Sequence, residues 1–317
     1  MQQVVSISEA SELNTAADVH PPDFKNWESV DKCPACGASQ HGRAPALFPA
    51  QSRCRACRHV YLNPRPTQEA IAEAYGRPDA YAQWLEDERS RAIMWEKRIR
   101  RVEEFVNGGR VLDVGAGTGE FLHGLSRSGR WQTDGTEISS RAVELAMRNH
   151  EIDLRLGAVA DVNLPPDHFD LITLWHVLEH VPDVQGTLAT VVAALKPGGI
   201  VFIAVPNDSL SVRVPLVMAR DLVRRSGRSG LQMMMGSPMF GDEIHLQHFS
   251  QRSLIRAVRR AGLTICHLDV DDHYSRPTRK TNLKVRIGAA IQRLTQVNCF
   301  PTVLLVAERR DRRPAAI

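Results

Sequence analysis

Nowhere does the 317-residue chain run to about 18 consecutive apolar residues, so no membrane-spanning helix is expected. The first two dozen residues lack both the basic start and the apolar stretch of a secretory leader, and a cytoplasmic location is expected. They are polar, without periodicity, and close on Pro21-Pro22, which predicts a disordered lead-in over residues 1–26. No internal repeat is visible. Cysteine is scarce, six in all, yet four fall within 25 residues as two Cys-x-x-Cys pairs. In a cytosolic chain that clustering favours metal binding over disulfides. Cys266 and Cys299 stand alone in apolar, strand-like stretches and read as small buried hydrophobes.

What is present suffices for one large core and a small extra module, since 43% of the residues are apolar. The net charge of +4 is unevenly spread. Residues 207–317 hold 19 Lys and Arg against 9 Asp and Glu, whereas the first 206 hold 21 against 27. A basic carboxy-terminal third suits an anionic small substrate, an anionic membrane surface or RNA, with solvated helix faces as the plainer account.

The Cys-rich segment runs over 27–66, closed by Asn63-Pro64-Arg65-Pro66, and residues 67–106 read as a helical connector that Gly76–Pro78 would interrupt. From Arg110 strands and helices alternate, the pattern of a parallel sheet covered on both faces. The expected strands are Val111–Val114, Trp131–Thr136, Ile152–Leu156, Phe169–Leu174, Ile200–Val205, Leu263–Val270 and Thr302–Ala307. Ser250 is expected to cap the helix that carries Leu254, Ile255, Val258 and Ala261. Residues 207–249 break the alternation with a basic stretch (Val212–Arg225) and a Met-rich loop (Met233–Met235). They read as an insertion over the substrate side, either a lid or a membrane-surface helix. The catalytic domain is thus expected over 107–310, with a tail at 311–317.

The run Val111-Leu112-Asp113-Val114-Gly115-Ala116-Gly117-Thr118-Gly119-Glu120-Phe121 places three glycines between a strand and a helix, where backbone must turn sharply and approach a ligand. A dinucleotide site spaced Gly-x-Gly-x-x-Gly would need glycine at 120, where Glu120 stands. Asp113 at the strand end would repel a pyrophosphate and attract a cation such as an amino-acid ammonium. The second strand ends in Glu137, 18 residues past Gly119 and suited to bonding ribose hydroxyls. A ribose and a positive group, without phosphates, describe S-adenosylmethionine.

With those residues in place, the run from Val111 resembles the first motif of the class I S-adenosylmethionine-dependent methyltransferases, and Glu137 matches their ribose-binding acid. Phe169-Asp170-Leu171-Ile172 and His176-Val177-Leu178-Glu179-His180-Val181-Pro182-Asp183 resemble the fourth-strand motif of the branch that includes ubiquinone, sugar and natural-product enzymes. Lys196-Pro197-Gly198-Gly199 resembles their next turn. The likeness covers residues 107–206 and, more loosely, 245–307. It implies a doubly wound α/β fold, a Rossmann-like sheet of seven strands with the last antiparallel. It also implies cofactor contacts at Asp113, Gly115, Gly117, Gly119, Glu137 and Trp175, with Ala160 and Asp161 beside the adenine.

Cys33-Pro34-Ala35-Cys36 and Cys54-Arg55-Ala56-Cys57, 17 residues apart, supply the four thiolates of a closed structural zinc site. With all four positions filled by sulfur, no catalysis is assigned to that metal. The segment Cys54–Pro66 resembles the zinc-ribbon front end of bacterial methyltransferases linked to polysaccharide or secondary-metabolite synthesis.

Methyl transfer is an in-line displacement in which the protein aligns the nucleophile and excludes water. An oxygen nucleophile usually needs a base; an amine or activated carbon need not. His180, four residues after His176, is one candidate base, with a purely structural role as its rival; His245 and His248 form a second pair. The acceptor is read as a small, anionic metabolite or glycan precursor methylated on oxygen, nitrogen or carbon. An RNA base methyltransferase gripping RNA with its ribbon is the rival, weakened because the ribbon offers no aromatic stacking face beyond Phe48 and Tyr61. A cofactor-binding scaffold without catalysis is the third reading. The basic stretch also allows peripheral membrane contact.

Overall fold

The computed structural model describes residues 26–43, 51–75, 88–208, 239–240, 243–271, 279–295, 298 and 300–310. The front of the chain supplies β1 (Trp27–Glu28), β2 (His41–Arg43), β3 (Gln51–Cys54), β4 (Val60–Leu62) and β5 (Arg65–Pro66), then helices α1 (Gln68–Tyr75) and α2 (Glu88–Glu103). The alternating part follows as β6 (Gly109–Val114), α3 (Glu120–Ser126), β7 (Trp131–Glu137), α4 (Ser140–His150), β8 (Arg155–Leu156), β9 (Phe169–Trp175), α5 (Val184–Ala194) and β10 (Leu195–Pro206). It ends with β11 (Met239–Phe240), β12 (Glu243–Ile244), β13 (Gln247–His248), α6 (Gln251–Arg260), β14 (Thr264–Asp269), α7 (Arg279–Thr295) and β15 (Thr302–Glu308).

Seven strands form one sheet in the order β14-β15-β10-β9-β6-β7-β8. Strands β8, β7, β6, β9 and β10 run parallel, and β15 is antiparallel to both of its neighbours. This is the seven-stranded, doubly wound sheet expected. The central strands read as continuous apolar runs because both faces are covered. Alternate residues serve opposite layers. Leu112, Val114, Ile172, Leu174, Ile203 and Leu305 pack with α5 and α6, while Val111, Leu171, Phe202, Ala204 and Val306 pack with α2 and α3. Polar caps set where helices begin. The Ser139 hydroxyl accepts from Ala142 N, Asp183 accepts from Gly186 N, and Ser250 forms a capping box with Ser253.

Several elements differ from the sequence pattern. The expected third strand shrinks to Arg155–Leu156, because Ile152 and Leu154 bury themselves among Leu122, Leu125 and Ala146 before the chain reaches the sheet edge. Helix α7, between the last two strands, is not foreseen by the alternation. Cys266 lies on β14 as expected but is exposed rather than buried, since it falls at the register shift between Ile265 and His267. Cys299, the lead-in over 1–25, the break at Gly76–Pro78, the basic stretch Val212–Arg225 and the Met-rich loop all lie outside the described residues.

The front module is not an appendage. β13 adds to it as the edge of a four-stranded sheet, β13-β4-β3-β2. Val30, Cys33, Ala35, Cys57 and Tyr61 share one core with Leu178, Val184, Phe249, Leu254 and Ala257. Two polar ties reinforce that contact: Gln185 donates to Ala35 O and Arg256 to Ala56 O.

Candidate functional site

The carboxyl ends of β6, β7 and β9 meet at the glycine loop, the place where open α/β sheets bind ligands. The loop leaves β6 through residues with positive φ, 66° at Gly115 and 56° at Gly117. A Cβ at Gly115 would lie 2.8 Å from the Val177 side chain, so this glycine lets the loop press against the His176 motif. A Cβ at Gly117 would meet nothing within 4 Å, so the backbone there faces open space. Gly119 precedes α3, held over Ala146 and Ile152. Glu137, buried at the end of β7, accepts from Gly117 N at 2.8 Å with one oxygen and from Ser139 N at 2.9 Å with the other. A carboxylate has about four lone-pair sites, so two backbone bonds fix its position and leave acceptor capacity for ribose hydroxyls.

Asp113 is buried one strand over, where its Oδ1 accepts a 2.6 Å bond from Thr173 Oγ1. Burial pushes its carboxyl up to about 7 and the charge of Glu137 adds to this, while the Thr173 bond and the charge of Arg98 oppose it. A cation arriving beside Asp113 would restore the ionised form. The residues present therefore fit an amino-acid ammonium at Asp113 and a ribose at Glu137, with uncovered backbone at Gly117 between.

Behind this wall lies a group the sequence did not reveal. The guanidinium of Arg98, on α2, is buried between the rings of Trp95 and Trp175, 4.9 and 4.8 Å from their centroids. It pairs with buried Asp271 at 2.6 Å, and Asp271 is held well below the ordinary carboxylate range, Arg98 and His176 outweighing burial. Trp175 is buried at the end of β9, its indole nitrogen without a hydrogen-bond partner among the described residues. Trp95 and Arg91 bind Glu120 at the start of α3, which ties α2 to the glycine loop.

After β9 the chain turns sharply at His176, whose φ is 57°. His176 bonds Glu179 at 3.2 Å and reaches Asp271 at 3.5 Å. Burial disfavours its cation, but these two carboxylates prevail and raise it to about 9. Glu179 is buried, and although burial alone would raise its carboxyl, the bond from His176 and the charges of His180, His176 and His245 hold it below the ordinary value. One ligand-capable atom from each of Glu179, His180 and His245 lies within 4.8 Å of the others, close enough to surround a divalent cation. The His180 and His245 rings meet edge to face at 4.9 Å. Tyr75 OH bonds His180 Nδ1 at 3.1 Å and fixes that ring from α1. His245 is placed by its neighbours, because Leu246 N and Gln247 N both donate to Glu179 O.

The structure therefore brings His180 and His245 together, although 65 residues separate them in sequence. His248 goes elsewhere, bonding Gln51 at 2.8 Å and Asp208 at 3.2 Å. Ala160 and Asp161 are exposed in the turn after β8, where Asp161 accepts from Gln68 of α1. Arg98, Trp95, Thr173, Tyr75 and Asp271 were missed. Arg98 looks like one cation among many on a charged helix, and its burial depends on two tryptophans that sequence spacing cannot pair.

In the front module the four thiols converge. Cys33 and Cys57 sulfurs lie 3.6 Å apart, as do those of Cys36 and Cys54, and all four lie within 4.8 Å. That is too far for disulfides. Four sulfurs each about 2.3 Å from one tetrahedral ion would stand about 3.8 Å apart, so the set fits such an ion closely. The thiols compete for protons: the hydrogen bond with Cys57, then burial, push Cys33 far up, burial raises Cys36 to about 11, and the bond from Cys33 brings Cys57 down to about 5. A cation among them would relieve that competition. Next to the knuckle, His59 is fully buried and lowered to about 4 by desolvation, and its Nε2 bonds Gln247. Gln247 in turn donates to Val181 O. The knuckle is thus linked through the His59 and Gln247 side chains to the His176–Asp183 segment.

Residues 85–268, more than half of the chain, match the sequence family described as "Methyltransferase domain". The demethylmenaquinone methyltransferase of Tropheryma whipplei (strain Twist) is 33% identical over 133 residues, covering 41% of this chain and 53% of that protein. The ubiquinone biosynthesis O-methyltransferase of Azoarcus sp. (strain BH72) is 28% identical over 168 residues, covering 51% and 66%. The similarity thus spans between about half and two thirds of these relatives' length. Among solved structures, an S-adenosylmethionine-dependent methyltransferase from Mesorhizobium loti superposes with a TM-score of 0.48 at 21% identity, over 68% of this chain and 98% of that one.

Proposed function

Because the chain belongs to the methyltransferase-domain family and has its class I sheet, we propose that it transfers a methyl group from S-adenosylmethionine to a small-molecule acceptor on oxygen, nitrogen or carbon. The observation that carries this reading is the wall at the strand ends, where Glu137 grips Gly117 N, Gly117 faces open space, and the Asp113 carboxylate is buried beside them on its bond from Thr173. Asp113 holds the ammonium and Glu137 the ribose. Gly115, Gly117 and Gly119 let the backbone close in, Trp175 walls the methionine side, and Ala160 and Asp161 border the adenine. When bound, S-adenosylmethionine supplies the electrophilic methyl carbon. The protein orients the acceptor and keeps water out.

His180 and His245, beside Glu179, form the proton-accepting group for an oxygen acceptor. Glu179 stabilises a histidine that has taken up the proton, and Tyr75 keeps the His180 ring in place. His248, committed to Gln51 and Asp208, has a positioning role in the same segment. The four cysteines hold a structural zinc. The named relatives are a demethylmenaquinone methyltransferase and a ubiquinone biosynthesis O-methyltransferase, which favours a small organic acceptor here. The RNA alternative loses support because Val30, Cys33 and Tyr61 of the ribbon turn inward against the catalytic domain.

Labelled methyl transfer tests this reading. Incubated with labelled S-adenosylmethionine and either small-molecule extract or total RNA, at low and moderate salt, the protein is expected to label the small-molecule fraction. Label confined to RNA, with steep salt sensitivity, would overturn it.

A further inference from the structure

Helix α7 (Arg279–Thr295) occupies the connection between the two antiparallel strands β14 and β15. One side of it lies on the protein. Gly288 sits so close to the Phe300 ring that a Cβ there would come within 2.1 Å of it, and buried Gln292 donates to Gln251 at 2.8 Å. The other side is apolar and bare. Leu283 is 58% exposed, Ile287 50%, Ile291 37% and Leu294 86%. Steps of four, four and three residues put these side chains in one stripe along the helix. Six large hydrophobic side chains are markedly exposed among the described residues, and these are four of them. A stripe that concentrated has a partner.

The charges beside the stripe indicate which partner. The helix sequence carries Arg279, Lys280, Lys284, Arg286 and Arg293 and not one Asp or Glu. Lys284 and Arg286 are exposed and flank the stripe on opposite sides, about 100° from Leu283 one way and about 60° the other at 3.6 residues per turn. No described helix is long and apolar enough to cross a bilayer. An apolar stripe flanked by exposed cations, on a helix about 25 Å long without an acidic residue, is the arrangement that lies flat in a lipid interface, with aliphatic side chains among acyl chains and cations among anionic headgroups. A second copy of the same helix fits poorly, because two all-basic flanks would face each other. A polynucleotide would leave the aliphatic stripe uncovered.

We propose that α7 is a docking surface for an anionic lipid membrane, with Leu283, Ile287, Ile291 and Leu294 inserted and Lys284 and Arg286 at the headgroups. This stands apart from the identity of the methyl acceptor. The test is co-sedimentation of the full chain with vesicles of phosphatidylcholine alone and of equal parts phosphatidylcholine and phosphatidylglycerol. Binding is expected to the anionic vesicles only and to weaken in high salt, as screening shortens the reach of the cations. The triple variant Leu283→Ser, Ile287→Ser, Leu294→Ser alters exposed positions and should keep the wild-type melting temperature while partitioning about tenfold or more less strongly. Lys284→Glu with Arg286→Glu should do the same without touching the stripe. Absence of binding to anionic vesicles, or unchanged binding by both variants, would overturn the proposal. So would sedimentation showing a dimer that the triple variant dissolves.

Discussion

Burial raises the Asp113 carboxyl to about 7, so near neutrality the free protein holds it partly protonated. An ammonium beside it favours the carboxylate, and binding then has to displace the proton. Affinity for S-adenosylmethionine should be full above pH 7 and fall as the pH drops below it, by at most about tenfold per unit. Asp113→Asn should bind more weakly at pH 8 and show a flat profile. Calorimetry from about pH 8 to about pH 6 reads both, and a wild-type affinity that does not change over that range would remove the ammonium from Asp113. Across the site, His180→Ala or His245→Ala should cut turnover of an oxygen acceptor about 10²–10⁴-fold with cofactor affinity unchanged. Equal losses in binding and turnover would mark the two rings as structural. His180 and Glu179 were legible as residues of a recognisable motif. That His245 joins them was not, because its approach depends on Leu246 N and Gln247 N bonding Glu179 O across the fold.

At the level of elements, the two cysteine knuckles and strand β13 act together. The knuckles were readable, since Cys-x-x-Cys spacing dictates a tight turn whatever surrounds it. Their partner was not, because a two-residue strand such as Gln247–His248 leaves no periodicity to detect. Elemental analysis should find about one zinc per chain, and Cys33→Ser should lose it. Thermal unfolding of that variant should begin earlier, in the front module. Since β13 lies three residues or fewer from His245 and pairs with β4, turnover should fall further than affinity for S-adenosylmethionine. Metal-free, reduced wild-type protein with normal turnover would show that the four thiols need no ion. Arg256 illustrates the limit of charge patterning: it reads as a solvated helix face, yet it donates to Ala56 O and helps seat the knuckle.

The described residues are organised round the seven-stranded sheet, with α2 packed on one face and the thiol module joined to α5 and α6 on the other. The sheet was legible because buried parallel strands must be apolar runs, and because glycines and acids at strand ends have few other uses. The closing parts were not, since Arg98 between Trp95 and Trp175 and Gln247 under His59 are long-range pairings of ordinary side chains. These parts surround the site at the strand ends, and its proposed occupant is S-adenosylmethionine. Calorimetric titration of the full chain with S-adenosylmethionine should show one site per chain. In Glu137→Ala, the loss of the ribose partner and of the bond holding Gly117 N should weaken binding by about 1–3 kcal/mol, or about 5- to 150-fold. A wild-type protein that takes up no S-adenosylmethionine, or a Glu137→Ala variant that binds it as tightly as the wild type, would mean that this pocket does not hold the methyl donor.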